Sequence, residues 1–272
     1  HHEIARLGRG VDASRLILPE AFDRLEEFLS RYRSIARELG SHRIVAFGTS
    51  ALRDARNRGE FIASMSERTG IDIEVLSGDD EALWTYLGAL DGLSISGPRI
   101  GVLDIGGGST EFAFGDGQHV DTAISVDVGA VRITERFLAA LPPTSDALNA
   151  ARAYAFEQCE HFGDVPPNAT LVGVAGTVTT LGAIACGLEQ FDAMELNGSR
   201  LTLEHVAEIT ARLSTMTLDE TAAVPQISTG RADIILGGAT ILMAAMTKLG
   251  ADEIVVSTRG VRYGIAIRES LR

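Results

Sequence analysis

The sequence predicts an α/β protein, a sheet flanked by helices. Short runs rich in β-branched residues alternate with longer stretches of helical period. One region reads strand, glycine run, strand, turn, strand, which is a β-meander. Of 272 residues, 45% are apolar and 22% charged, enough to bury a large core and to exclude disorder as the dominant state.

Leu16 to Leu39 reads as an amphipathic helix. Pro19 suits its first turn, Phe22, Leu25, Leu29, Tyr32, Ala36 and Leu39 recur at spacings of three and four, and Gly40 ends it. Arg43 to Phe47 is a strand leading into Gly48-Thr49-Ser50. A helix starts near Asn57, Ile71 to Leu76 is a second strand, and a helix carrying Leu83, Tyr86, Leu87 and Leu90 follows Ser77-Gly78. Gly92 to Pro98, turn-rich and polar, reads as a linker. The meander comprises Ile100 to Ile105, Glu111 to Phe114 and Val120 to Val128. Helices are expected over 130–141 and 145–162, a strand over Thr170 to Val174, and helices over 177–187, 203–214 and 231–249. Glu253 to Ser257 is the last strand, and a short helix follows Gly264.

The charge balance, 24 Lys+Arg against 37 Asp+Glu for a net −13, argues against a basic grip on nucleic acid. Lys248 is the only lysine, so any polyanion must be held by arginine. The most apolar stretch, Ile234 to Met246, contains Gly237 and Gly238 and falls well short of the ~20 residues needed to span a bilayer. Cys159 and Cys186 form no CxxC pair and both read as core fillers, and with no secretory signal at the start a cytoplasmic protein is expected. The histidines show no metal-ligand spacing, and His1-His2 reads as a tag remnant.

Five segments have the residue types of phosphate chemistry. Asp104-Ile105-Gly106-Gly107-Gly108-Ser109-Thr110-Glu111 ends one strand and opens the next. Its glycines permit a tight turn with positive φ and leave N–H groups unobstructed, and a carboxylate ending a buried strand needs a partner. The alternative is a hairpin that merely turns the chain. Gly173-Val174-Ala175-Gly176-Thr177 runs from strand to helix and offers a helix N-terminus to an anion, or is an ordinary turn. Asp79, Asp80 and Glu81 open a helix, either as dipole partners or with one of them orienting water; periodicity does not choose among the three. Thr49 to Asp54 reads as a hydroxyl-lined turn with Arg53 available to phosphate, and Gly230-Arg231-Ala232-Asp233 opens an apolar helix or sets an arginine at a cleft.

Taken in order, these segments closely resemble the exopolyphosphatase and guanosine pentaphosphate phosphohydrolase family, nearly end to end. The resemblance implies the actin-like ATPase superfamily fold, two ribonuclease-H-like α/β domains with an interdomain cleft. These are placed at 1–96 and 97–263, with 264–272 returning to the first. By position, Glu81 matches the catalytic glutamate, and Asp104 and Glu111 match acids associated with Mg²⁺ and catalysis. Gly106, Gly107, Gly108 and Ser109 match the phosphate-binding backbone, Arg53 the polyphosphate path, and Gly176 and Thr177 the opposite loop, with Arg231 at the cleft. The implied activity is magnesium-dependent release of terminal phosphate from inorganic polyphosphate, with guanosine pentaphosphate as a second substrate; no nucleic acid or membrane partner is implied, and a homodimer is allowed. The family's first phosphate hairpin, an Asp-x-Gly-x-x-Ser sequence, is expected ahead of His1. Two other readings compete, an ATP-dependent small-molecule kinase of the same superfamily and a polyphosphate- or nucleotide-sensing protein without turnover.

Overall fold

A computed structural model describes residues 5–95, 97–166, 168–228 and 230–272; the His1-His2 reading lies outside them. The chain divides into two compact units, His1–Ser77 and Gly78–Arg272. In the first, short helix α1 (Val11–Ser14) precedes α2 (Pro19–Glu38), strand β1 (Ala46–Gly48), α3 (Ser50–Asp54), α4 (Arg58–Thr69) and β2 (Ile73–Val75). β1 and β2 pair in parallel, Ala46 opposite Ile73. Phe22 and Phe61 meet edge to face at 4.7 Å within a core of Val11, Ile17, Ala21, Leu52 and Met65. The Asn57 amide clamps the backbone of Ile17, accepting from its N–H at 2.9 Å and donating to its carbonyl at 3.0 Å. No meander occurs among the described residues of this unit.

The second unit opens with α5 (Gly78–Leu90) and the meander β3 (Ile100–Ile105), β4 (Thr110–Gly115) and β5 (Val120–Val126). Then come α6 (Ala130–Phe137), α7 (Ser145–Cys159) with a 3₁₀ turn at Glu160–Phe162, β6 (Thr170–Val174) and α8 (Ala175–Ala185). The chain continues through α9 (Ala193–Leu196), β7 (Arg200–Thr202), α10 (Leu203–Leu213), α11 (Leu218–Ala222), α12 (Ile235–Lys248), β8 (Glu253–Val256) and α13 (Val261–Ser270). The sheet order is β5-β4-β3-β6-β8-β7. β5, β4 and β3 are antiparallel, β6 and β8 continue parallel to β3, and β7 closes the far edge antiparallel to β8. A meander extended by two strands parallel to its first member is the ribonuclease-H-like sheet, here with one strand added.

β3 and β4 are buried along their whole length, so both faces must be covered. With alternating side chains, Ile100, Val102 and Asp104 share one face with Glu111 and Ala113, under Ala82, Tyr86 and Ala89 of α5. Leu103, Ile105, Phe112 and Phe114 face the larger core with Ile133, Phe162, Leu181 and Leu242. α5 lies on the sheet and α13 on α5, and both belong to the second compact unit, Gly78–Arg272. Gly92 to Pro98, expected as the linker, falls inside the second unit, with Ser96 outside the described residues.

Several elements differ from expectation. Thr49 to Asp54 is not an open turn but leads into α3; α12 begins at Ile235 after a turn over Arg231–Ile234; α13 starts at Val261, ahead of Gly264. β7, α1, α9 and α11 were not expected; each spans five residues or fewer, too few for a period to show. Cys159 is buried, its thiol pushed up to about 12 mainly by burial, whereas Cys186 at the end of α8 is exposed and fills no core. No helix among the described residues is long and apolar enough to cross a membrane.

Candidate active site

The meander register sets the acids. Asp104 on β3 stands opposite Glu111 on β4, which stands opposite Ser125 on β5, a row across one face at the strand ends. α5 caps this row: Gly78 lies so close to Ser125 that a Cβ there would come within 2.6 Å of the serine Cβ. One turn further along, Glu81 and Thr85 share a helix face, and both are buried, whereas Asp79 and Asp80 are exposed. Of the three acids opening α5, packing turns only Glu81 toward the sheet.

Glu81, Asp104 and Glu111 are 7%, 7% and 1% exposed, so three carboxylates share a desolvated site. Burial, then the charge of Glu81, pushes the Asp104 carboxyl up to about 7, against a hydrogen bond from Thr85 Oγ1 to Asp104 Oδ2 at 3.4 Å. Burial followed by Glu81 and Asp104 raises Glu111 well above the usual carboxylate range, against hydrogen bonds from Ser109 and from Ser125 Oγ at 2.7 Å. Without a cation, Asp104 and Glu111 are thereby both shifted toward the protonated form. Among the described residues no three His, Cys, Asp or Glu side chains are arranged to hold a metal ion together. Asp104 and Glu111 offer hard oxygens whose mutual repulsion a cation relieves, and Mg²⁺ characteristically takes one or two carboxylates while keeping waters and phosphate oxygens. That donor set fits Mg²⁺.

The turn joining β3 to β4 is closed by Gly106 N–H donating to Ser109 O at 3.0 Å, and its other side rests on the start of α6. Ala130 N–H donates to Gly106 O at 2.9 Å; Val131 and Arg132 N–H donate to Gly107 O at 2.8 and 3.2 Å. In a trans peptide the carbonyl and the following N–H point in opposite directions. The N–H groups of Gly107 and Gly108 therefore point away from α6, as an anion cradle requires. The expected positive φ is corrected: Gly106, Gly107 and Gly108 are not among the described positive-φ residues. Glycine is needed for close approach, since a Cβ on Gly107 would stand 3.3 Å from Val131 Cγ2, and one on Gly129 would collide with the backbone of Gly107 and Gly108.

Asp104 also pairs with Val174, which puts the turn after β6 beside the glycine turn. There Ala175 takes φ 66° and starts α8. The guanidinium of Arg231 lies against Gly176, where a side chain would have to displace it, and burial lowers its pKa. α12 ties the two turns together. A Cβ on Gly237 would meet Ala130 O of α6 at 2.8 Å, and Gly238 packs on the buried Thr177. The second unit thus gathers Glu81, Asp104, Glu111, the glycine turn, Gly176, Thr177 and Arg231. Arg53 belongs to the first unit, where its Nη1 donates to Leu76 O at 3.1 Å. Ser125, Thr85 and Arg132 escaped the sequence reading, because nothing local marks a polar residue as facing a site that distant segments assemble.

Outward backbone N–H groups beside desolvated carboxylates, at one end of a ribonuclease-H-like sheet, suit phosphoryl transfer, and the relatives of this chain set the class as phosphohydrolase. The family model described as the Ppx/GppA phosphatase family matches residues 1–272, and the chain belongs to that family. It is 36% identical to Exopolyphosphatase 2 of Mycobacterium tuberculosis, over 97% of this chain and 86% of that protein. An exopolyphosphatase-like protein of known structure superposes with a TM-score of 0.91 at 32% identity, covering 99% of this chain and 90% of that one. An exopolyphosphatase from Cytophaga hutchinsonii gives 0.89 at 25% identity, covering 98% and 87%.

Proposed function

We propose that this phosphohydrolase releases terminal phosphate from inorganic polyphosphate in a magnesium-dependent reaction, with guanosine pentaphosphate as a second substrate. The observation that carries the reading is the buried cluster of Glu81, Asp104 and Glu111 beside the outward N–H groups of Gly107 and Gly108. The relatives bearing the name exopolyphosphatase support the choice of polyphosphate.

Glu81 accepts the proton of the attacking water at a carboxylate oxygen, being the buried acid of α5. The N–H groups of the glycine turn hold phosphate oxygens in place, and Arg231 balances charge that develops on the leaving chain. Asp104 and Glu111 would hold Mg²⁺, which when bound would supply the positive charge that lets those carboxylates and a phosphate share one desolvated space. In its absence burial and mutual repulsion shift Asp104 and Glu111 toward the protonated form. Arg53 is assigned to the phosphate chain on the family resemblance alone.

Phosphate release from long-chain polyphosphate, guanosine pentaphosphate and ATP, each with Mg²⁺ and with chelator, tests this. Release from the first two that collapses with chelator is expected. Turnover of ATP alone would overturn the substrate assignment, and rates indifferent to chelator would remove the metal.

A further inference from the structure

We infer that Arg132, on α6, is the positioning residue that completes the phosphate cradle by fixing the peptide between Gly108 and Ser109. The first four N–H groups of a helix have no partner within it. Ile133 N–H makes the first bond within α6, to Gly129 O at 2.9 Å, while those of Ala130, Val131 and Arg132 donate to Gly106 O and Gly107 O. The amides of Ala130, Val131 and Arg132 are thus committed to the first two carbonyls of the turn, and the third, Gly108 O, takes a side-chain donor. Arg132 supplies it, Nε donating to Gly108 O at 2.8 Å.

The consequence is directional. With Gly108 O drawn to α6, the N–H of Ser109 turns the opposite way, joining those of Gly107 and Gly108 to make three consecutive donors on one side. The guanidinium itself is 3% exposed, and its ion pair with Asp127 is long, 3.8 Å to a carboxylate that is 75% exposed. Placed behind the turn, the charge also favours an anion in front of it. Lysine does not substitute, because its Cε methylene falls where arginine has Nε.

This inference rests on the phosphate reading of the turn, so its test separates the two. Amide NMR of the full chain is followed while pyrophosphate is added with excess Mg²⁺, in wild type and in Arg132→Lys. In wild type the Gly107, Gly108 and Ser109 amides shift together, and the Arg132 Nε–H, protected from exchange, shifts with them. In Arg132→Lys the Ser109 response is lost and pyrophosphate binds about tenfold more weakly. The KM for polyphosphate rises by a similar factor, while kcat changes less. Wild-type amides that ignore pyrophosphate refute the phosphate reading itself. Gly107 and Gly108 responding while Arg132→Lys keeps wild-type affinity and the Ser109 shift refutes the role of Arg132 alone. Should Arg132→Lys not fold, an Arg132 Nε–H in wild type that exchanges freely and ignores pyrophosphate refutes it equally.

Discussion

The turns after β3 and after β6 stand side by side, with Asp104 paired to Val174, yet they use glycine in different ways. The first has three glycines, and none is among the described positive-φ residues. The second takes its left-handed backbone at an alanine, Ala175, with φ 66°. At the first, the start of α6 packs so closely that a Cβ on Gly129 would strike the Gly107–Gly108 backbone; at the second, the Arg231 guanidinium fills the space beside Gly176. A glycine count thus reports crowding as readily as curvature. A strained non-glycine residue at a strand-to-helix turn is where function and strain commonly coincide.

The largest expected effect separates chemistry from both turns. Glu81→Gln keeps every donor of the cradle and removes the base, so turnover falls by about 10²–10⁴ while polyphosphate binding persists. Near-normal kcat in that variant, read by phosphate release, would relocate the base.

Next in size is Asp104, which lies between the turns. Its folded pKa of about 7 exceeds the 3.8 of an unperturbed carboxyl. The metal-free fold therefore binds the proton more tightly than the unfolded chain does. The stability associated with that proton is fully present below about pH 4 and is lost as pH rises through about 7. Asp104→Asn removes its share of that slope, up to about 1.4 kcal/mol per pH unit. Urea unfolding in chelator from pH 4 to 8 checks it, and parallel curves for wild type and variant would count against the raised pKa. With Mg²⁺ present, Asp104→Asn shifts the magnesium titration upward.

Two small substitutions sharpen the contrast between the turns because their signs differ. Gly129→Ala drives a methyl into the Gly107–Gly108 backbone and destabilises by about 1–3 kcal/mol, with weaker pyrophosphate binding. Ala175→Gly relieves a left-handed alanine and stabilises by roughly 0.5–1 kcal/mol, since the relief exceeds the added chain entropy. Thermal midpoints moving in the same direction for both would erase the distinction.

Much of the site was legible because its acids and glycines sit where strands end. Asp104 breaks the apolar run of β3 one residue from its end, and Gly106 to Ser109 separate that run from the apolar β4. Thr177 and Gly176 follow β6 for the same reason. Arg132 was not legible: the apolar stripe of α6 runs Ala130, Ile133, Phe137, and an arginine beside it reads as solvated. Cys186, taken for core, lies at a helix end that nothing covers.

The sequence by itself determined the order of strands and helices and the chemical types at their ends, since these follow from local periodicity and from which residues tolerate a turn. Only the tertiary structure decided which of Asp79, Asp80 and Glu81 faces the sheet. Successive helical residues differ by about 100° in direction, so the choice depends on the face α5 buries, and contacts with Ile100, Val102 and Ala113 set that face. The direction of the N–H groups at the glycine turn was likewise decided at long range. It follows from which side the carbonyls are held, and they are held by a helix that begins some twenty residues later, at Ala130.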